Sequence, residues 1–367
     1  MFLLLILFFF VFYLFLITFV GPTGARERRH LSLFGAFHVE PAKPASPHVV
    51  LLIGAHKDTY EIRFSCFSKN RMGLVKKSWE MLTQLQPAAL QCLWTTYRVK
   101  CPVVEGMSEF MIAYGWSDAE VAGFKIPYRT PDSTRRQVVI CQSRFFMYDK
   151  WQIMFTIIEL YRFYGADLIV AYVESIIGEA FEFLKAYREK GIIEIHPAIR
   201  YEKFSDLDYD PNNETEYNQQ LSGYNLCLYE YRDTTDFIIF GDWDEVLIPQ
   251  NASNYFDDLS IILAEYSNAA AFLHQRMHVK SFIPKQASFF DIEDLLNTTR
   301  STDKFGATKV VTIGNRVESV GIHRIYWGAP RTREVQLTTE HSMFLHFREK
   351  GKRTCDDDEV NKRAHRG

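Results

Sequence analysis

The chain lacks any surplus of positive charge: 42 Lys and Arg stand against 45 Asp and Glu, a formal net charge of -3 at pH 7. With no excess cation field to grip a phosphate backbone, a dedicated nucleic-acid binder is disfavoured. Glycine, 19 residues, and proline, 13, are too sparse for a collagen-like or low-complexity chain, and no internal repeat of fixed period occurs. No Gly-rich phosphate loop follows the first strand of the regular part of the sequence, which disfavours dinucleotide cofactors and P-loop nucleotide use. The six cysteines, Cys66, Cys92, Cys101, Cys141, Cys227 and Cys355, form no Cys-x-x-Cys pair and no zinc-like array. An even number so widely scattered fits disulfides in an oxidising compartment, with buried free thiols as the alternative. Their pairing is not legible in the sequence.

What is present is apolar bulk. Hydrophobic residues make up 47% and aromatics 15% of 367 residues, enough to bury a large core in two or so domains of about 150 residues each. From Met1 to Val20 only Thr18 is not apolar. That run matches the roughly 20 residues of a membrane-spanning helix and exceeds the roughly 7–15 of a signal-peptide core. It reads as an uncleaved transmembrane signal-anchor over 1–20, although Thr23 and Ala25 are placed as a cleavage site would want them. The flank Arg26, Arg28 and Arg29 would by itself hold the body in the cytosol. Asn213, Asn251 and Asn297 point the other way, since each opens an Asn-x-Ser/Thr acceptor that is glycosylated only in a lumenal or extracellular body. The reading adopted is a single-pass protein with a lumenal body.

Residues 21–47, with four prolines and a basic cluster but no periodic pattern, read as a stem. Residues 48–134, with β-like runs at Val49–Ile53 and Ile62–Phe67, read as a small, mainly β region. From Gln137 the pattern becomes regular. Strands are expected at Val138–Cys141, Leu168–Tyr172, Ile192–Ile195 and Phe237–Phe240. Between them fall helices at Lys150–Tyr164, capped by Asp149 and stopped by Gly165, at Ile177–Lys190, stopped by Gly191, and from about Glu216 to Arg232. This alternation implies an α/β, Rossmann-like half with a parallel sheet covered on both faces, whose ligands sit beyond the carboxyl ends of the strands. The second half is less regular, with β-like runs at Val310–Ile313 and Met343–Phe347, and 351–367 form a charged tail.

One motif carries chemistry. Phe237-Ile238-Ile239-Phe240 is a buried strand that delivers Asp242 and Asp244 onto one side of the chain as it leaves the sheet. Two hard oxygens on one side with an open end are a seat for Mn²⁺ or Mg²⁺, which keeps positions free for a diphosphate. Asp-x-Asp recurs at Asp206-Leu207-Asp208, Asp208-Tyr209-Asp210 and Asp356-Asp357-Asp358, but only the Asp242 pair follows a core strand in a βαβ series.

Here the sequence resembles glycosyltransferase family 92, over most of the chain after the stem. The resemblance lies in Trp151 to Tyr172, Tyr224 to Pro249, Lys309 to Arg324 and His341 to Arg348, four blocks in order. It implies a GT-A type catalytic domain over 135–350, and inverting transfer of a sugar, often galactose, from a UDP-sugar to a glycan hydroxyl, with Mn²⁺ at the Asp-x-Asp. Carried onto this chain, Asp242 and Asp244 become metal and diphosphate contacts, Glu245 their support, and His346 a late metal ligand. His323 and Arg324 become donor-side residues. An inverting displacement needs a carboxylate base near the acceptor hydroxyl. Asp291, Asp294, Asp303, Glu318 and Glu340 are the candidates, of which Asp294 and Glu340 are named.

Other signals are set aside. His274 and His278, four apart, could share a helix face, but Gln275 stands where a zinc protease needs Glu and Ala269 to Leu273 reads equally well as a strand. Phe145, Phe146, Tyr148, Trp151 and Phe155 read as core rather than a sugar platform. Two competing functions are a haloacid-dehalogenase-like phosphatase with Asp242 as nucleophile, and a glycan-binding relative without turnover.

Overall fold

The computed structural model describes residues 30–40, 46–57, 62–85, 92–115, 117–215, 219–283 and 287–347. The apolar segment 1–20, its basic flank, Cys355 and the tail lie outside the described residues, so the anchor reading is carried by sequence alone. Among the described residues no helix is long and apolar enough to cross a membrane.

Short apolar runs carry the N-terminal region into strands: β1 (Leu31–Val39), β2 (His48–His56), β3 (Arg63–Asn70), β4 (Val75–Met81), β5 (Thr83–Gln84), β6 (Trp94–Pro102), β7 (Met107–Tyr114), the short helix α1 (Ala119–Ala122) and β8 (Phe124–Lys125). Two antiparallel sheets result, ordered β1-β2-β6-β5 and β4-β3-β7-β8. Leu33, Leu51, Val99, Phe64 and Phe110 lie in the core shared by their facing sides. The Cys66–Cys101 disulfide ties β3 to β6.

The mainly β expectation for 48–134 agrees with these strands, but part of the expected stem does not stay outside. Leu31–Val39, read as linker, is β1 and is buried along almost its whole length. This nine-residue strand lies between the basic cluster Arg26, Arg28 and Arg29 and the prolines Pro41, Pro44 and Pro47, so the composition of its flanks reads as linker.

From Arg136 the chain alternates as expected: β9 (Arg136–Phe145), α2 (Trp151–Phe163), β10 (Leu168–Val173), α3 (Gly178–Glu189), β11 (Ile193–Pro197), α4 (Gln220–Tyr231) and β12 (Thr235–Gly241). Gly165 and Gly191 end α2 and α3 at positive φ, as read. Asp149 does not cap α2; Lys150 holds that position without a side-chain bond. The four strands pair in parallel in the order β11-β10-β9-β12, third, second, first, fourth in the chain. The chain therefore reverses its direction of travel across the sheet between β9 and β12, and the crevice beyond their carboxyl ends is a switch point.

The rest of the large sheet is mixed. It comprises β13 (Glu245–Ile248), β14 (Ala269–Lys280), β15 (Arg300–Ile313), β18 (Arg333–Gln336) and β19 (Met343–Phe347), joined by α5 (Tyr255–Glu265) and α6 (Ile292–Thr298). A separate ribbon pairs β16 (Val317–Val320) with β17 (Ile325–Gly328). Alternate residues of the central strands face different cores. Val138, Ile140, Phe237 and Ile239 pack with α2, α3 and α5, whereas Val139, Cys141, Ile238 and Phe240 pack with α4. That second core also takes in Phe37, Val39, Val50 and Leu52 of the N-terminal sheet. The β region is thus built onto the α/β half through α4. At Gly35 of β1 a Cβ would lie 2.6 Å from a Leu226 methyl of α4, so a larger residue here would have to displace that side chain. The Cys141–Cys227 disulfide ties α4 to β9.

Candidate active site

Gly241 ends β12, and Trp243 turns inward to stack on Phe145 with ring centroids 4.0 Å apart while its indole N–H donates to the Ser143 carbonyl at 2.7 Å. With the middle residue clamped against β9, Asp242 and Asp244 are left facing the switch-point crevice. They keep 29% and 30% of their side chains exposed, so they are neither smothered in the core nor turned away from a cavity. The cleft they share is about 370 Å³ and is walled on the β9 side by Ser143, Arg144, Phe146 and Tyr148.

The mixed half of the sheet supplies what surrounds the aspartates. Lys309 of β15, fully buried, places its ammonium 2.7 Å from Asp242 Oδ2 and 3.1 Å from Glu245 Oε2. Arg276 of β14 donates to Glu245 Oε1 at 2.7 Å. Gly306, opposite Arg276 in the β14–β15 pairing, makes room for it: a Cβ there would stand 2.5 Å from the guanidinium. The other oxygen of Asp242 accepts from Gln220 Nε2 at 2.5 Å and from the Tyr224 hydroxyl at 3.3 Å. Burial pushes the Asp242 carboxyl upward, but Lys309, with Arg276 and His346 beyond it, outweighs that and holds it well below the usual carboxylate range. Burial likewise opposes the Lys309 charge, and Asp242 and Glu245 more than offset it, raising that ammonium above its ordinary value. Asp242 is therefore ionised throughout the physiological range.

His346 of β19 sits in register with Glu245 of β13, and its Nε2 lies 3.3 Å from Asp244 Oδ2. One donor atom each from Asp244, Glu245 and His346 falls within 4.8 Å of the others, two carboxylates and an imidazole that could hold a metal ion. Hard oxygens with one nitrogen suit a Mn²⁺-class cation. Glu245 is fully buried and engaged by Lys309 and Arg276, so Asp244 and His346 are its open members. Three carboxylates against two fixed cations leave the cluster one negative charge with His346 neutral.

The expected residues fare unequally. Asp242, Asp244, Glu245 and His346 come together; the three with donor atoms within 4.8 Å of one another are Asp244, Glu245 and His346, while Asp242 bonds Lys309. His323 is part-buried near Lys309, its Nδ1 2.8 Å from the Thr308 carbonyl, and burial followed by the Lys309 charge pushes its imidazole down to about 4. Arg324 is exposed and bonds Glu334 at 2.6 Å, away from the cluster. Asp294 is an exposed first-turn residue of α6, and Glu340 an exposed loop residue before β19. No ion pair or side-chain hydrogen bond among the described residues ties either to the site. Glu318 is claimed by Arg98 and Lys100. His274 and His278 both lie on strand β14, not on a helix. Within the aromatic stretch, Phe145 is buried core as read, whereas Phe146 is 46% exposed at the cleft.

Lys309, Arg276, Gln220 and Arg144 were not singled out from sequence for this site. Arg144, at the carboxyl end of β9, pairs with Glu174 at 2.6 Å and lies over the Phe146 ring at 5.1 Å. Lys309 alone had a usable signal, as a charged residue abutting the apolar run Val310–Ile313.

Comparison with known proteins then decides the family. The family described as Glycosyltransferase family 92 matches residues 136–365. The chain belongs to glycosyltransferase family 92. Two relatives from Caenorhabditis elegans, each described as a glycosyltransferase family 92 protein, are 23% identical over 70% of this chain and 24% identical over 85% of it. This chain spans 50% and 60% of their respective lengths. A solved structure of apo UDP-glucose pyrophosphorylase aligns with 58% of this chain and 90% of its own at 7% identity and a TM-score of 0.25, too loosely to bear on fold or function.

Proposed function

We propose that this family 92 chain is a metal-dependent, inverting glycosyltransferase with a GT-A type domain, moving a sugar, first of all galactose, from a UDP-sugar to a glycan hydroxyl. The observation that carries the reading is the convergence of Asp244, Glu245 and His346, beside a permanently ionised Asp242, at the switch point of the parallel strands. Asp244 and His346 would hold Mn²⁺ or Mg²⁺, with Glu245 as the inner donor. Such an ion, when bound, neutralises charge on a departing diphosphate. The chain's own groups do the remaining work. Lys309 fixes Asp242 as an acceptor for a hydroxyl of the sugar donor, and Trp243 holds the two aspartates on one side of the chain. Arg144, on the opposite wall, offers a guanidinium to phosphate oxygens. The cluster's single negative charge becomes positive once a divalent ion enters, which favours a diphosphate over a neutral sugar.

Asp242 as a phosphatase nucleophile is less well supported, because Lys309, Gln220 and Tyr224 engage both of its oxygens. A glycan binder without turnover is separated from a transferase by a screen of UDP-sugars and acceptors with and without Mn²⁺. Calorimetry tests the central claim: UDP binds with Mn²⁺ present, and binding is lost on chelation or in Asp244→Asn. Unchanged UDP affinity after chelation overturns it. The proposal extends to a single-pass anchor and a lumenal body, supported by two disulfides and three acceptor triplets. An endoglycosidase mobility shift tests that topology.

A further inference from the structure

We propose that His278 is a positioning residue for the metal site: its Nδ1 accepts a hydrogen bond from the Nδ1–H of His346, which keeps that proton on Nδ1 and leaves the His346 Nε2 lone pair free to hold the ion beside Asp244. This rests on the metal reading above and adds to it a residue that never touches the ion. Three neighbouring strands carry the arrangement. In the parallel pairing of β14 with β19, His278 stands opposite His346, and in the antiparallel pairing of β19 with β13, His346 stands opposite Glu245. Residues paired across strands project from the same face, so His278, His346 and Glu245 form one row across the sheet.

The two imidazoles meet Nδ1 to Nδ1 at 3.1 Å. Two ring nitrogens at that distance share one proton: two protons would collide, and none would set lone pair against lone pair. A ring that coordinates through Nε2 must carry its proton on Nδ1. The geometry therefore assigns the shared proton to His346 and the acceptor role to His278. Glu245 Oε1 is the other acceptor near His346 Nδ1, but at 3.9 Å it is more distant and already receives Arg276 at 2.7 Å. His278 is itself fixed, 7% exposed, with its carbonyl accepting from Thr302 at 2.8 Å.

The test is Mn²⁺ affinity of the full chain without nucleotide, read by calorimetry, alongside the unfolding midpoint of the metal-free protein. His278→Leu removes the acceptor and is expected to weaken Mn²⁺ binding by about 10- to 100-fold. His278→Asn places an amide oxygen near the former Nδ1 position and is expected to restore affinity close to wild type. A folded His278→Leu protein with wild-type affinity, while His346→Ala has lost it, overturns the positioning role and leaves the metal site standing. The same holds if Asn binds as poorly as Leu at an equal unfolding midpoint. Wild-type protein that binds no Mn²⁺ overturns the metal reading itself. Should the Leu variant not fold, ¹⁵N-imidazole spectra of the Mg²⁺-loaded wild type decide: a proton on His346 Nδ1 agrees with the assignment, and one on His278 Nδ1 overturns it.

Discussion

The two halves of the large sheet divide the labour. The parallel half, β9 to β12, is packed on both faces by aliphatic and aromatic side chains and contributes position: a switch point, a cleft, and Asp242 and Asp244 at its mouth. The mixed half, β13 to β19, brings charge into the interior, with Glu245, Arg276, Lys309, His278 and His346 mutually bonded beneath the cleft. A scaffold of apolar strands tolerates loss of a methyl group here or there. A buried ionic cluster does not, because each member is the counter-charge of another.

That contrast is sharpest at Lys309. Its replacement by Met strands Asp242 and Glu245 without their shared cation, and removing one partner of a buried pair is expected to cost about 3–5 kcal/mol. Denaturant midpoints of Lys309→Met and of Ile239→Val in the parallel half make the comparison, the latter expected to lose about 0.5–1.5 kcal/mol. Equal losses would erase the distinction between the halves. Next in size is Asp244→Asn, which should lower Mn²⁺-dependent turnover of a UDP-sugar by about 10²–10³-fold while leaving stability nearly unchanged, since Asp244 is part-exposed and makes no buried ion pair with Lys309 or Arg276. Steady-state rates set beside thermal midpoints separate the two effects.

The same contrast explains what was legible in the sequence. Strands β9, β10 and β12 stood out because a parallel strand covered on both faces is an unbroken apolar run, and glycines at positive φ marked where α2 and α3 end. Asp242 and Asp244 were legible because they follow such a run. The mixed half obeys no single period. Only Lys309–Ile313 of the long β15 is fully buried, and its first residues, Arg300 onward, are largely exposed. Arg276 looks in sequence like any surface cation, and Lys309 is marked only by the β-like run it abuts, because burial of a charge becomes intelligible only once the sheet register has brought it a partner. β1 escaped because its nine residues sit between a basic cluster and a proline-rich stretch.

A smaller effect is expected where the N-terminal sheet meets the α/β half. Glu318 of β16 accepts from Arg98 and Lys100 of β6, each at 2.9 Å. Burial alone would raise its carboxyl, but Lys100 and Arg98 prevail and bring it from 4.5 down to about 2. A depressed folded value means that the stabilisation is complete above the unfolded value of 4.5 and is lost as pH falls from there toward about 2. Glu318→Gln should cost about 1.5–3 kcal/mol at neutral pH, and the gap to wild type should close through that acidic window. Unfolding midpoints across the window measure it, and a gap that stays constant with pH would show that charge at this joint is irrelevant.

The smallest effect belongs to Arg324, the expected donor-side residue that the structure turns toward Glu334. It is 60% exposed, and an exposed ion pair is worth about 0–1 kcal/mol because water already solvates both partners and salt screens them. Arg324→Ala should therefore move stability by less than about 1 kcal/mol and leave UDP affinity unaltered. Arg144→Ala makes the informative partner, because it removes a guanidinium from the wall of the cleft itself. UDP titrations on the two variants would then differ: weaker binding for the arginine of the parallel half and none of that loss for Arg324. The opposite ranking would mean that the nucleotide approaches from the β16–β17 side, and that the switch-point cleft is not where the diphosphate rests.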